Sequence, residues 1–294
     1  MAHKRTTTTS LLASGAINED ELVINDDNYH EHVEPVVNGE VKKRGLIARN
    51  FKAIPVGSLP CARPFDLPLI PESEWQQRLD AQLTAKARLS DIRDRSGPGG
   101  GPIPSTDQNG RGYCWCHSWV SAVLLTRAVN NQPFVDLSAY MVGCLVKSYR
   151  DQGGWGTEGI EFMAEHGVPD SKFWPQRSAS RSNDTPAMRA NAKLHRVTEW
   201  MDFGSQQMWT MQVTCALLGI PVAVCYNWWG HSVCQMDVVS LSPRRVRIWN
   251  SWGDSWSSNG AGILEGNKAL ADGAIAPRVV SPSQDFWRKI KKRR

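Results

Sequence analysis

The stretch Gln108-Asn-Gly-Arg-Gly-Tyr-Cys-Trp115 carries the strongest chemical signal in the chain. Glycines at 110 and 112 break the chain just ahead of Cys114. The spacing of Trp115, Trp119, Ala122 and Val123 then predicts a helix that starts at about residue 114. A thiol at a helix N-terminus feels the positive end of the dipole, which favours the thiolate, the nucleophilic form. An adjacent cationic imidazole would lower the thiol further. Gln108 can turn its side-chain N–H towards the same point and, with the backbone N–H of Cys114, form an oxyanion hole.

The base must come from elsewhere in the chain. Histidines stand at 3, 30, 32, 117, 166, 195 and 231. The first three lie in a polar N-terminal stretch, His117 is too local on the same helix, and His166 falls at a helix end. His231 opens a strand-like run directly after Trp228-Trp229-Gly230. Asn250 follows in Asn250-Ser-Trp-Gly253, and an Asn amide can hold one imidazole nitrogen while the other meets sulfur. An isolated Cys is more often a buried structural thiol, and an isolated His a satisfied strand residue. Nucleophile, base, orienting amide and oxyanion donor together point to nucleophilic catalysis. Cys114-x-Cys116-His117 lacks a fourth ligand at zinc-site spacing, and His30-Glu-His32 is only a pair, so neither a metal nor a cofactor is expected.

These residues need a scaffold, and the hydrophobic pattern supplies one. Glu72 and Glu74 after Pro71 open a helix whose Trp75, Leu79 and Leu83 form a docking stripe. Ser96 to Pro104 is a Gly/Pro loop. Asp136-Leu-Ser138 reads as the cap of a helix running to about 150, and Thr157 as the cap of one ending at Gly167. Residues 205–218 also read as helical. Pro221–Asn227, His231–Leu241 and Arg244–Asn250 are β-type runs split by turn residues. Helices first and antiparallel strands second predict an α+β fold.

In this order the motifs resemble those of the papain-like cysteine proteases, the peptidase C1 family. Gln108-x3-Gly-x-Cys-Trp115 resembles the nucleophile segment, and Asn250-Ser-Trp-Gly253 with Trp256 and Gly260 the orienting-Asn segment. Leu137-Ser138, the double glycine Gly153-Gly154 and Asp91-Ile-Arg93 fall between or ahead of them as in that family. The resemblance covers about 88–285. It implies two lobes, one helical and one β-rich, with a cleft between, and peptide-bond hydrolysis through a thioester. It also implies roles: Cys114 nucleophile, His231 acid/base, Asn250 orienting group, Gln108 oxyanion donor. Gly153 and Gly154 would lie along the substrate backbone, Trp252 would shield the His–Asn pair, and Trp229 with Trp228 would line the primed side. The chain departs from the pattern where Arg111 and Asp151-Gln152 replace the family's cysteine pair. It is also shortened between Pro221 and His231.

Composition bounds the rest. The chain has 294 residues, 41% hydrophobic and 21% charged, enough for a sizeable core. Its apolar runs are too short for a transmembrane helix. The net charge of +5 is concentrated in Arg288–Arg294; without those six positive charges it is −1, so the fold itself is not basic. Four regions are expected: an extended acidic arm (1–52), a Pro-rich belt with a docking helix (53–87), the peptidase-like domain (88–285) and a basic tail (286–294). The arm is read as mobile or as lying in the cleft. Expected partners are a polypeptide substrate and, for the tail, nucleic acid or an acidic protein surface. The first fifteen residues make a poor secretory signal, which with sparse cysteines suggests a cytoplasmic or particle-associated protein. Two other readings stay open: a papain-fold amidase acting on peptidoglycan or isopeptide bonds, and a catalytically silent binding or assembly protein.

Overall fold

The computed structural model describes residues 15–281 together with Ser10. The basic tail and the first nine residues lie outside the described residues, and with them the expectations for tail partners. Seven α-helices are described: α1 (Glu72–Ala85), α2 (Leu89–Arg93), α3 (Cys114–Val129), α4 (Ala139–Val146), α5 (Gly156–His166), α6 (Pro186–Ala192) and α7 (Met208–Leu217). The strands are β1 (Val23–Ile24), β2 (Val36–Val37), β3 (Glu40–Val41), β4 (Ala62–Pro64), β5 (Val197–Asp202), β6 (Val222–Tyr226), β7 (His231–Leu241), β8 (Arg244–Trp249), β9 (Ala261–Glu265) and β10 (Gly273–Val280).

Eight strands form one sheet in the order β1-β9-β8-β7-β6-β10-β5-β4, and β2 pairs with β3 as a separate hairpin. The interior pairings are antiparallel, whereas β1–β9 and β4–β5 are parallel. Both edges of the sheet are therefore supplied by the first 64 residues, which satisfies backbone groups that would otherwise stand open at the edges.

Helix α3 is buried from Cys114 to Ala128. A helix buried on every face, its polar residues included, sits in the middle of a domain. It packs against β6, β7 and β10 on one side and α4 and α5 on another. Around it lies a core with Tyr113, Trp115, Trp119, Tyr140, Trp174 and Trp200. A second core on the other side of β7 and β8 holds Trp75, Phe203, Met211, Trp229, Ile248 and Trp252. Covered on both faces, β7 is buried over most of its length and loses the polar alternation of a half-exposed strand.

The expected docking helix is α1: Trp75 is buried, its indole N–H donates to the Ile70 carbonyl at 2.8 Å, and Gln82 donates to Ala216 on α7. Two caps differ from expectation. Ser138 makes no capping bond, and its helix ends at Val146 because Ser148 and Tyr149 take left-handed backbone conformations. The next helix starts at Gly156, capped by the Glu158 carboxylate accepting from the Trp155 N–H at 2.8 Å rather than by Thr157. Strands β5, β9 and β10, absent from the sequence reading, complete the sheet beside β6 and β8.

Candidate active site

Cys114 is the first residue of α3, with Tyr113 at the cap position, as the glycine-broken loop before it requires. His231 is the first residue of β7, and Asn250 follows the last residue of β8, the neighbouring strand. The His231 Nε2 lies 2.8 Å from Asn250 Oδ1. That oxygen also accepts the Ser251 backbone N–H at 2.7 Å, which fixes it as the acceptor end of the amide. Neutral His231 thus carries its proton on Nε2 and presents the Nδ1 lone pair, and Nδ1 has no other partner. The Trp252 ring stacks on the imidazole at 4.6 Å between centroids and 26°, and Trp229 meets it edge-on at 4.9 Å. Both indoles are buried and seal the His–Asn pair from water.

Two serines tie α3 to β7. Ser118 lies one turn below Cys114, and its hydroxyl pairs with that of Ser232, next to His231, at 2.8 Å. Ser232 Oγ in turn donates to the Val224 carbonyl, so Ser118 is the donor of the pair. The Ser232 backbone N–H points at the Cys114 sulfur and, with that of Trp115, pulls the thiol pKa down. The cysteine and the histidine thus share one corner between α3 and β7.

Gln108 is fully buried. Its Oε1 accepts from Ser251 Oγ at 2.8 Å, which turns Nε2 outward to donate. Tyr140 donates to the Gln108 carbonyl, and the Gln108 backbone N–H donates to Ser251, so this loop is pinned to the segment after Asn250. Asp151 stands where the cysteine pair is missing: its carboxylate accepts the Gly112 N–H at 2.8 Å, a polar tie between the same two loops. The seven cysteines are free thiols. Among the described residues no group of three or more His, Cys, Asp or Glu is placed to hold a metal ion.

The N-terminal arm crosses this corner. The Lys43 carbonyl accepts from Gln108 Nε2 at 2.9 Å and from Trp252 Nε1 at 3.1 Å. The N–H groups of Gly45 and Leu46 both point at the Gly230 carbonyl, at 3.3 and 3.0 Å. Gly154 donates to Gly45 at 2.9 Å and accepts from Ile47 at 3.0 Å, a parallel bridge centred on Leu46. A Cβ on Gly45 would stand 2.1 Å from the Gly112 carbonyl oxygen, and one on Gly153 would stand 2.5 Å from the Gly45 oxygen. The contact is backbone on backbone and needs glycine on both sides. Gly154 has a different reason: its Cβ would run into the Trp115 ring.

This cover reverses the expected electrostatics of the thiol. Cys114 and His231 are both buried. Burial pushes the Cys114 thiol up to about 12, against the amides of Ser232, Trp115 and Gly45 that pull it down. Burial likewise holds His231 down at about 4, against the Asn250 hydrogen bond that raises it. The expected low-pKa thiol is therefore absent from the covered form: near pH 7 both partners are neutral. The helix dipole acts, but the loss of water outweighs it.

Sequence reasoning left open that the arm lies in the cleft without naming the strap Lys43–Ile47, and it missed the Ser118–Ser232 pair and the buried His117, without a hydrogen-bond partner, beneath Tyr140. A small residue after Lys-Lys-Arg was the one trace of the first. Hydroxyls at 118 and 232 have no spacing signal, because the two elements meet only in three dimensions.

The comparisons with known proteins agree with this architecture. The solved procathepsin L 3 of Tenebrio molitor larval midgut superposes with a TM-score of 0.56 at 14% identity, over 86% of this chain and 79% of that one. Xylellain, a cysteine protease from Xylella fastidiosa, gives 0.53 at 18% identity, over 82% of this chain and 99% of its own. The chain has the papain-like fold. In sequence it is similar to chymopapain from Carica papaya, 24% identical over 179 residues, 55% of this chain. It spans about half the length of that relative, 51%. It is also similar to zingipain-1 from Zingiber officinale, 21% identical over 207 residues, covering 63% of this chain and 91% of zingipain-1. No protein-family model matches the chain.

Proposed function

We propose that this protein is a cysteine-type peptidase, latent in the covered form. The observation that carries the reading is the hydrogen bond from His231 Nε2 to Asn250 Oδ1, which leaves Nδ1 unpaired on the residue next to Ser232, whose backbone N–H faces Cys114 at the start of α3. With the strap out of the way, water enters, the thiol proton passes to His231 Nδ1, and the thiolate–imidazolium pair forms. The sulfur attacks a substrate carbonyl, whose oxygen takes the place of the Lys43 carbonyl at Gln108 Nε2. His231 returns its proton to the leaving amine as the C–N bond breaks, and water then hydrolyses the thioester. Gly154 offers the substrate the backbone N–H and carbonyl that now hold the strap, Gly153 leaves room for its backbone, and Trp229 and Trp252 exclude water from the His–Asn pair. Seven free thiols support a reducing cytoplasmic or particle-associated setting.

Hydrolysis of a mixed peptide library by strap-opened protein, with Cys114→Ala and His231→Ala as controls, tests this. Turnover abolished by both substitutions supports it; turnover that survives Cys114→Ala overturns it. The filled cleft favours a second reading, a papain-fold binding or assembly protein, for which no opened form turns over peptides. Running peptidoglycan fragments and isopeptides in parallel separates an amidase from a peptidase.

A further inference from the structure

Lys43 occupies two features of the site at once. The side-chain N–H groups of Gln108 go to the Arg111 carbonyl and to the Lys43 carbonyl, so the second is the one a substrate carbonyl would take over. The side chain of the same Lys43 crosses to the wall of the cleft, where its Nζ bonds Asp151 Oδ2 at 2.6 Å. One residue therefore sets its carbonyl on Gln108 and its charge on Asp151. Arg44, the next residue, differs. Its guanidinium bonds the Trp229 carbonyl and Glu34, and Glu34 belongs to the arm itself. That ion pair lies within the arm, whereas the Lys43 pair joins the arm to the cleft.

Asp151 is a fixed carboxylate. Its Oδ1 accepts the Gly112 N–H at 2.8 Å, in the loop just ahead of Cys114, and Gly153 and Gly154 follow it directly after Gln152. Burial alone would raise its carboxyl. The hydrogen bonds from Lys43 and Gly112, with the nearby charge of Arg111, outweigh that and hold it below the ordinary carboxylate range. Its side chain is 34% exposed, and among the described residues Lys43 is its one ion-pair partner. When a substrate replaces the strap, Asp151 gives up that cation but keeps its place near the reacting carbonyl. A side chain with a flexible stem and a cationic end restores the pair, and a neutral or acidic one leaves the carboxylate without it. Asp151 stands where the cysteine pair of the papain-like pattern is missing, so the family resemblance does not supply this preference.

We propose that Asp151 selects the substrate residue that supplies the scissile carbonyl, favouring lysine or arginine there, so that the bond cut is the one following a basic residue. The proposal deepens the peptidase reading of the site and rests on it. The gain is that of one partly exposed ion pair held in fixed geometry, about fivefold, and it shrinks as salt screens the charges.

The test uses the full chain carrying Gly45→Ala, which loosens the strap, and two acetylated peptidyl coumarylamides of one sequence that end in arginine or in citrulline, its neutral isostere. The arginine peptide is expected to have a kcat/KM about fivefold higher. Asp151→Asn is expected to bring the ratio to about one, while its amide oxygen still accepts the Gly112 N–H. Taking the ratio cancels any effect of the lost Lys43 pair on how the strap is seated. A ratio near one before the change, or one that Asp151→Asn leaves as it was, overturns the proposal. Calorimetric titration of Gly45→Ala, Cys114→Ala protein with the same peptides reads binding without turnover. It is expected to return a similar ratio of Kd values, again lost with Asp151→Asn. Equal affinity for the two peptides, or binding of neither, also overturns the proposal. Failure of the peptidase reading shows separately: neither peptide would be turned over in a Cys114-dependent way, while calorimetry still told arginine from citrulline through Asp151.

Discussion

The side-chain amide of Gln108 donates to the backbone carbonyl of Lys43 at 2.9 Å. The donor proposed for a developing oxyanion is thus occupied by the protein's own peptide bond. Trp252 donates to the same oxygen, and the Gly45 backbone lies close enough to Cys114 to pull its thiol pKa down. One short segment covers three parts of the site at once, so access to the site depends on how well that segment is seated.

Seating is sensitive to one atom. Gly45→Ala places a methyl 2.1 Å from the Gly112 carbonyl, against backbone that has little room to yield. Overpacking of this kind costs roughly 1–3 kcal/mol, which corresponds to about a 10- to 100-fold larger open population. Iodoacetamide labelling of Cys114, followed by peptide mapping, is expected to accelerate by that factor. An unchanged rate would show that the strap does not gate the thiol.

Asn250→Ala removes the acceptor at His231 Nε2 inside a sealed pocket. Leaving that nitrogen unpaired is expected to cost about 1–3 kcal/mol of stability in urea denaturation. In strap-opened protein the freed imidazole ring is expected to lower kcat by about a hundredfold with little change in KM, since it is position and not substrate contact that is lost. A KM effect alone would argue against the orienting role.

The Ser118–Ser232 pair spans α3 and β7 at the corner that Cys114 and His231 share. Single Ser→Ala changes each leave the partner hydroxyl short of one bond, whereas the double change removes both. A double-mutant cycle on thermal stability is expected to return a coupling of about 1 kcal/mol. Additive effects would mean the two hydroxyls act independently.

Acid weakens the covered form through its histidines. Burial holds His231 at about 4, His117 at about 3 and His195 at about 4, all below their ordinary value of 6.5. The unfolded chain takes up these protons near 6.5 and the folded chain only well below it. Stability is therefore full above about pH 6.5 and falls as the pH drops towards 4, by about 1.4 kcal/mol per pH unit for each histidine. Urea midpoints between pH 7 and 4 measure the slope. His117→Phe, which replaces a partnerless ring, is expected to flatten the slope while leaving stability at pH 7 little changed.

Much of this was legible in the chain because it is local or periodic. The glycine break before Cys114 and the apolar run after it specify a helix starting at the thiol. β-branched and aromatic runs split by turn residues delimit the strands that carry His231 and lead to Asn250, and the docking stripe of Trp75, Leu79 and Leu83 specifies α1. What the tertiary structure decided concerns residues far apart in sequence. No spacing shows that Lys43 would face Gln108, that Glu21 would bury its charge on Arg247, or that Ser118 would meet Ser232. The thiol pKa belongs there too: the helix start is written in the sequence near Cys114, but the burial that pushes the thiol up exists only once the chain is folded around it.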